Sequence, residues 1–406
     1  MSEWKKVKLG EIASAIQTGP FGSQLHQSDY SDVGTPVVMP KDIVCGKIDV
    51  STIARVESHH VERLSRHKIN EGDILYARRG DVGKCAYTDK SQTGWLCGTG
   101  CLRVTIDNAK AMPEFVFFQL QKKDTIGWVE KHAIGATMLN LNTSILSDVP
   151  IELPTLSTQY KIATILSRYD SLIENYQKQI KLLEEAAQRL YKEWFVDLHF
   201  PGHENTKTVD GVPEGWEKKK IGDVVKTTSG GTPSRSNSNY YSGNILWVKT
   251  KELMDGFIFD TEEKVTQEAI NKSSAKIVPE ASILLAMYGA TIGKLGIASK
   301  NMSCNQACCV LLLSKDNPLR WYLFNWLLLN REFLISQGKG AAQPNLSQDM
   351  IRKFELVVPD DNTLLSYHRL VNVLYMKIKS LQSQISLLTE ARDRLLPKLM
   401  SGEIAV

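Results

Sequence analysis

Apolar side chains set two long rhythms in this chain. From residue 155 to 196 they recur at alternating steps of three and four: Ile162, Ile165, Tyr169, Ile173, Tyr176, Ile180, Leu183, Ala187 and Leu190. A second run repeats the rhythm with Tyr367, Leu370, Leu374, Ile378, Leu381, Ile385 and Leu388, then Arg392 and Leu395. Polar stretches such as "ENYQKQ" and "KSLQSQ" fill the remaining faces. A seam held over about four heptads predicts long helices of coiled-coil type, one over 155–196 and one within 360–406. Pro154 and Pro359 end the preceding segments, and Thr155 and Asp360 are residue types that cap helix N-termini. Each helix could pack on its own domain. Their common length and seam favour packing on each other, which buries both stripes at once.

The rest of the pattern is shorter in period. Runs such as "TPVVMP", "GDILYA", "GCLRVTI", "NILWV", "ASILLAM" and "CCVLLL" are β-type and are separated by Gly, Asp, Asn and Ser. Helical stretches intervene at 113–123 ("PEFVFFQLQKK") and 319–334 ("LRWYLFNWLLLNREFL"). The expectation is two α+β globular domains, 1–154 and 215–359, each followed by a long helix. The polar stretch 197–214, with Pro and Gly, reads as a linker.

These two halves are copies. A shift of 205 positions carries Asn140-Leu141 onto Asn345-Leu346, Pro154 onto Pro359, Ile180 onto Ile385, and Arg189-Leu190 onto Arg394-Leu395. Upstream the shift drifts by a few residues, as loop insertions would cause. Trp4 and Leu9-Gly10 match Trp216 and Ile221-Gly222. "ILYARRGDVGK" (74–84) matches "ILLAMYGATIGK" (283–294), and Cys97 and Cys101 match Cys304 and Cys308. The order of these features is the same in both halves, which marks a duplication.

Composition narrows the class only a little. A net charge of +4 over 406 residues suits an anionic partner without demanding one. The start, "MSEWKKVKLG", has no apolar run after its lysines, and no segment approaches the ~20 apolar residues of a membrane helix. Seven cysteines in such a chain are expected to be reduced thiols, so a cytoplasmic protein is expected.

No catalytic motif stands out. "GATIGK" (289–294) and "GDVGK" (80–84) lack both the glycine spacing of a Walker A loop and the Ser or Thr after its lysine. They read as turns that expose backbone amides and a lysine. "DNPL" (316–319) is not the Asn-Pro-Pro-aromatic tetrad of an amino-methyltransferase, and "PDD" (359–361) has no Glu-x-Lys partner of a nuclease site nearby. The Cys-x3-Cys pairs sit in apolar strand-like runs without flanking histidines, so they read as buried thiols rather than a zinc site. His59 and His60 are adjacent but form no ligand pattern.

The domain openings ("WKKVKLGEI"), the domain ends with their "NL…I…P" pattern, and the helix ends "RLYKEWFVDLHFPG", "GVPEGW" and "RLLPKLMSGEI" resemble the specificity subunit of Type I restriction–modification systems. The resemblance covers the whole chain, but the domain interiors carry little of it. It implies a non-catalytic DNA reader with two tandem pseudo-symmetric α+β target recognition domains. The long helices would form an antiparallel coiled coil that fixes the spacing of a split, asymmetric DNA site. It also implies no cofactor on this chain. S-adenosylmethionine would belong to two partner methyltransferase subunits, which nuclease/translocase subunits can join. About 35 helical residues give a rod of roughly 50 Å, the length of ~15 base pairs. A free-standing bipartite-site regulator such as a repressor, or an enzyme with an unrecognised site, remain the alternatives.

Groove readout needs Arg, Lys, Asn or Gln at exposed loop tips. Candidates in the first domain are Arg78, Arg79 and Lys84 in "ARRGDVGK", with a solvated turn as the alternative reading, and Lys41 in "MPKDI". Their counterparts are Tyr288, Thr291 and Lys294, and Lys251 with Lys249 beside it. The Gly-rich segments "TGPFGSQ" and "SGGTPSRS" are expected to be flexible loops that add Gln24 and Arg235. Trp194 and Phe195, before the linker, are candidates for subunit docking, with ordinary packing as the alternative reading.

Overall fold

The computed structural model describes residues 4–135, 139–338 and 345–406, so the repeated Gly-Ala at 135–136 and 340–341 lies in part outside the described residues. The chain divides into two compact units, Met1–Leu172 with Leu388–Val406, and Ile173–Leu387.

In the first unit, an antiparallel sheet runs in the order Ala13–Thr18, Cys101–Ile106, Ile74–Ala77, Cys85–Tyr87. A second sheet orders Leu96–Cys97, Thr35–Val38, Ala54–Val56 and Tyr30–Ser31, with Leu96–Cys97 parallel to its neighbour. The domain is tied off by Lys5–Lys8 pairing antiparallel with Pro150–Leu153. The helix Pro113–Leu120, apolar on nearly every face, is buried, as such a helix must be.

The second unit repeats this plan. Thr227–Ser229, Cys308–Leu311, Ile283–Ala286 and Leu295–Ala298 follow the same strand order, and Gly256–Ile258 adds a fifth strand in parallel. Ser303–Cys304, Ile245–Val248 and Lys264–Val265 form the smaller sheet, and Glu217–Lys220 pairs with Glu355–Val358. The duplication read from the sequence is therefore a duplication of topology. The segment predicted as one helix at 319–334 is two, Leu319–Leu329 and Arg331–Gln337, broken at Asn330.

The long helices span Leu156–Phe195 and Asp361–Met400. Thr155 Oγ1 accepts the amide of Thr158 at 3.3 Å, and Asp360 Oδ1 accepts the amides of Asn362 and Thr363 at 3.0 Å, so both predicted caps form. Each unit contains a stretch of both helices, side by side and antiparallel. In the first, Arg392 reaches Asp170 at 2.6 Å, and Ile162, Ala163 and Leu166 share the domain core with Leu399 and Met400. In the second, Ala187, Tyr191 and Trp194 share the core with Tyr367, Val371, Tyr375 and Ile378. Packing on the domain and packing on the partner helix thus occur together.

The seam deviates at one predicted position. Leu370 is 52% exposed, whereas Val371 and Tyr375 are buried. Here the second helix turns its inner face toward the helix Leu319–Leu329 as well as toward its partner. Tyr375 stacks on Trp321 with ring centroids 4.1 Å apart, and its hydroxyl donates to the buried Asn325 at 2.9 Å.

The linker is anchored at its two ends, since Phe200 and Trp216 are buried and lie 4.8 Å apart. Between them runs a small hairpin, Thr208–Val209 with Val212–Pro213. Among the described residues, no helix is long and apolar enough to cross a membrane.

Candidate nucleic-acid interface

The repeated Asn-Leu pair has a structural task in both domains. The amide of Leu141 donates to the carbonyl of Arg78 at 2.8 Å, and that of Leu346 donates to the carbonyl of Met287 at 2.8 Å. Both leucines are fully buried, so they pin the chain that follows the helices Lys123–His132 and Arg331–Gln337 to the start of a hairpin turn. Asn142 and Ser347 then cap the short helices Thr143–Ser147 and Gln348–Lys353. The motif fixes where each turn stands, and the turn residues are free to differ.

Those turns are the glycine-lysine segments. In the first domain, Ala77 donates its amide to Lys84 O at 2.8 Å, closing a hairpin tip over Arg78–Lys84 in which Gly80 has φ +77°. In the second, Ala286 donates to Lys294 O at 2.9 Å, with Gly289 and Gly293 at positive φ. These are strand-joining turns whose geometry requires a left-handed residue. Arg79 is exposed at the first tip and makes no ion pair among the described residues. Arg78 is half-buried, and its Nε lies buried without a hydrogen-bond partner among those residues. Lys84 pairs with Asp81 inside the turn at 3.1 Å.

At the second tip Tyr288 is exposed and Thr291 is half-buried. Lys294 is held by Asp255 at 2.8 Å, and the same carboxylate takes Arg331 and the amide of Leu295. Lys294 is therefore a partly neutralised anchor rather than a free cation.

Lys41 lies on a single helical turn, Pro40–Asp42, beside the first tip. A Cβ on Gly100 would sit 2.6 Å from Pro40, and Gly100 O accepts the Arg78 amide at 2.8 Å. The structure thus brings Lys41, Arg78 and Arg79 into one neighbourhood. Lys41 is exposed and donates to the Thr52 carbonyl at 3.3 Å. Gln24 is exposed but spends its side-chain oxygen on the amide of Phe21, closing its own loop at 3.0 Å.

In the second domain, Arg235, Lys249 and Lys251 also converge, around two glutamates that sequence reasoning did not single out. Arg235 reaches both carboxylate oxygens of Glu263, at 3.1 and 2.7 Å, and stacks 4.2 Å above the ring of Tyr241. Lys249 meets Glu262 at 2.8 Å and Glu263 at 3.4 Å, while Lys251 meets Glu262 at 2.5 Å. Hydrogen bonds from Lys249 and Lys251 push the Glu262 carboxyl down to about 2, and the Arg235 bond lowers that of Glu263. The 229–236 segment, expected to be a flexible loop, is clamped at Arg235. Bidentate pairing and ring stacking are favoured by the planar guanidinium. No feature of "DTEEK" alone signals this, because the contact depends on strand pairing.

Trp194 and Phe195 sit in the core of the second unit. Trp194 is 6% exposed, and Phe195 packs 4.7 Å from Tyr367 and 4.9 Å from Tyr322. The packing reading accounts for both side chains.

No group of three or more potential metal ligands occurs among the described residues. Cys97, Cys101, Cys304 and Cys308 are buried, and burial pushes the Cys97 thiol up to about 12, which disfavours the thiolate that a metal requires.

A family model described as the Type I restriction modification DNA specificity domain matches residues 1–185 and again 213–374, once per repeat. The chain belongs to this family. Specificity chains select the DNA site, and catalysis lies in the methyltransferase and nuclease subunits of the system. The Type I restriction enzyme MjaIX specificity subunit of Methanocaldococcus jannaschii is 28% identical over 99% of this chain and 93% of its own length. The Type I restriction enzyme HindI specificity subunit of Haemophilus influenzae is 24% identical over the full length of both chains. Among solved structures, the Type I restriction–modification S subunit from M. genitalium superposes with a TM-score of 0.64 at 17% identity. That match covers 98% of this chain and 96% of the other, and it supports the fold.

Proposed function

We propose that residues 1–154 and 215–359 each read one half of a bipartite, asymmetric DNA site. The turns 78–84 and 287–294 and the single helical turns 40–42 and 250–252 would form the two reading surfaces. The antiparallel helices set the spacing between half-sites, and the chain delivers two methyltransferase subunits, which carry S-adenosylmethionine, to the chosen adenines in the cytoplasm. One observation carries this reading. The scaffold around each tip is duplicated down to the Leu141 and Leu346 amides, while the tips themselves differ, with Arg78-Arg79 in one and Met287-Tyr288 in the other. Two readers of unlike sequences need that combination of constant frame and variable tip.

Reconstitution tests it. The purified chain with S-adenosylmethionine and DNA should methylate nothing, and adding the methyltransferase subunits should give methylation at one split sequence. Methylation by this chain alone would overturn the reading. So would a continuous, unsplit target.

A further inference from the structure

The two reading surfaces differ in how their cations are held. Strand pairing places Val37 opposite Ala54 in the first domain, and Trp247 donates its amide to Glu263 O at 3.2 Å in the second. Ile53-Ala54 and Glu262-Glu263 therefore occupy equivalent positions. The first domain has neutral side chains there and leaves Lys41 without an ion pair among the described residues. The second has two carboxylates, and they engage Arg235, Lys249 and Lys251 together.

The backbone that carries this glutamate pair is also fixed in place. Glu252 accepts the amides of Lys249 and Glu262, both at 2.7 Å, and Thr261 Oγ1 donates to Glu263 O at 2.6 Å. Arg235 is steadied by its stack on Tyr241. Three cations thus face two carboxylates carried on an anchored stretch of backbone.

We propose that Glu262 and Glu263 are specificity-determining positioning residues, which hold Arg235, Lys249 and Lys251 off the phosphate backbone so that this face adds little sequence-independent affinity. Phosphate contacts supply nearly all non-specific binding, and each releases counterions whatever the base sequence. A face whose cations are already paired gains from DNA only where base-edge contacts offset the broken ion pairs. The proposal rests on the reading that this face meets DNA.

The test uses the complex assembled with its methyltransferase subunits, on a duplex carrying the target and on a scrambled duplex, over a series of salt concentrations. The double variant Glu262→Gln/Glu263→Gln keeps the shape and removes the charge. It should bind the scrambled duplex more tightly and steepen the salt slope by about 0.9 for each cation released. It should also narrow the ratio of target to scrambled affinity by about tenfold or more. A separate variant, Lys251→Glu, should weaken binding to both duplexes. If Lys251→Glu weakens binding while the glutamine pair leaves slope and ratio unchanged, the screening inference fails and the interface stands. If Lys251→Glu changes nothing, the face lies off the DNA, and both fall. Melting temperatures near that of the parent chain confirm that folding is not what is read.

Discussion

Glu184 shows how one side chain adds its own pH dependence to the stability of a unit. It stands on the first long helix, half-buried near Tyr375 and Asp255. Burial, helped by the Asp255 carboxylate, raises its carboxyl from 4.5 to about 7. An unfolded chain gives up this proton near its ordinary value, before the folded chain does. The stability this one group contributes is therefore greatest below about 4.5, falls as the pH rises toward 7, and is level beyond that. A shift of that size on a sealed group would correspond to about 3 kcal/mol, and partial access to water reduces it to about 1 kcal/mol. Glu184→Gln should raise the melting temperature at pH 8 and leave it nearly unchanged at pH 4.5. Equal melting curves for variant and parent at pH 8 would contradict this. Little at this scale is legible in the sequence, where Glu184 is one polar residue among many on a helix. The charged and polar groups it interacts with, Asp255 and Tyr375, lie about 70 and 190 positions away. Glu262 and Glu263 escape notice for the same reason, whereas Arg79 is visible because adjacent arginines before a Gly-Asp turn make poor core.

The long helices are the elements that sequence periodicity describes best. Ile162, Ile173, Ala187, Tyr367, Ile378 and Leu381 are all buried, as the seam predicts. The cap residues also behave as their types suggest, because capping is a contact across three residues. The seam fails at Leu370 because a heptad rule assumes one neighbour. Between 361 and 378 this helix has two, its partner and the helix Leu319–Leu329. Trp194 lies where those elements meet, 5.8 Å from Tyr367. Truncation to alanine at a site this well packed should cost about 3 to 5 kcal/mol, and chemical denaturation would measure it. A docking role makes the opposite forecast, with stability within about 0.5 kcal/mol of the parent chain, as for an ordinary surface change, and methyltransferase binding lost. Performing both measurements on Trp194→Ala therefore decides between core and docking surface.

At the scale of the whole molecule, duplication is the feature on which the proposed function rests. The family model matches twice, and the sheets in the two units follow one strand order. The surfaces that would meet DNA have diverged in charge and in how that charge is held. An exposed Arg79, with a Lys41 that has no ion pair among the described residues, marks one domain, and a clamped Arg235, Lys249 and Lys251 mark the other. Each domain is completed by helix segments from both halves of the sequence, so an exchange must cut where the helix seam is left whole. The boundary at Pro154 does this, because the first helix begins at Leu156 and its packing residues Ile162, Ala163 and Leu166 stay in place. Replacing residues 1–154 by the equivalent domain of a relative that keeps the core facing those residues should change one half-site and leave the other, and the spacer between them, as they were. Sequencing methylated positions in DNA modified by the exchanged complex reads all three at once. A change in both half-sites would mean that the domains do not read independently. An unchanged target would place recognition outside residues 1–154.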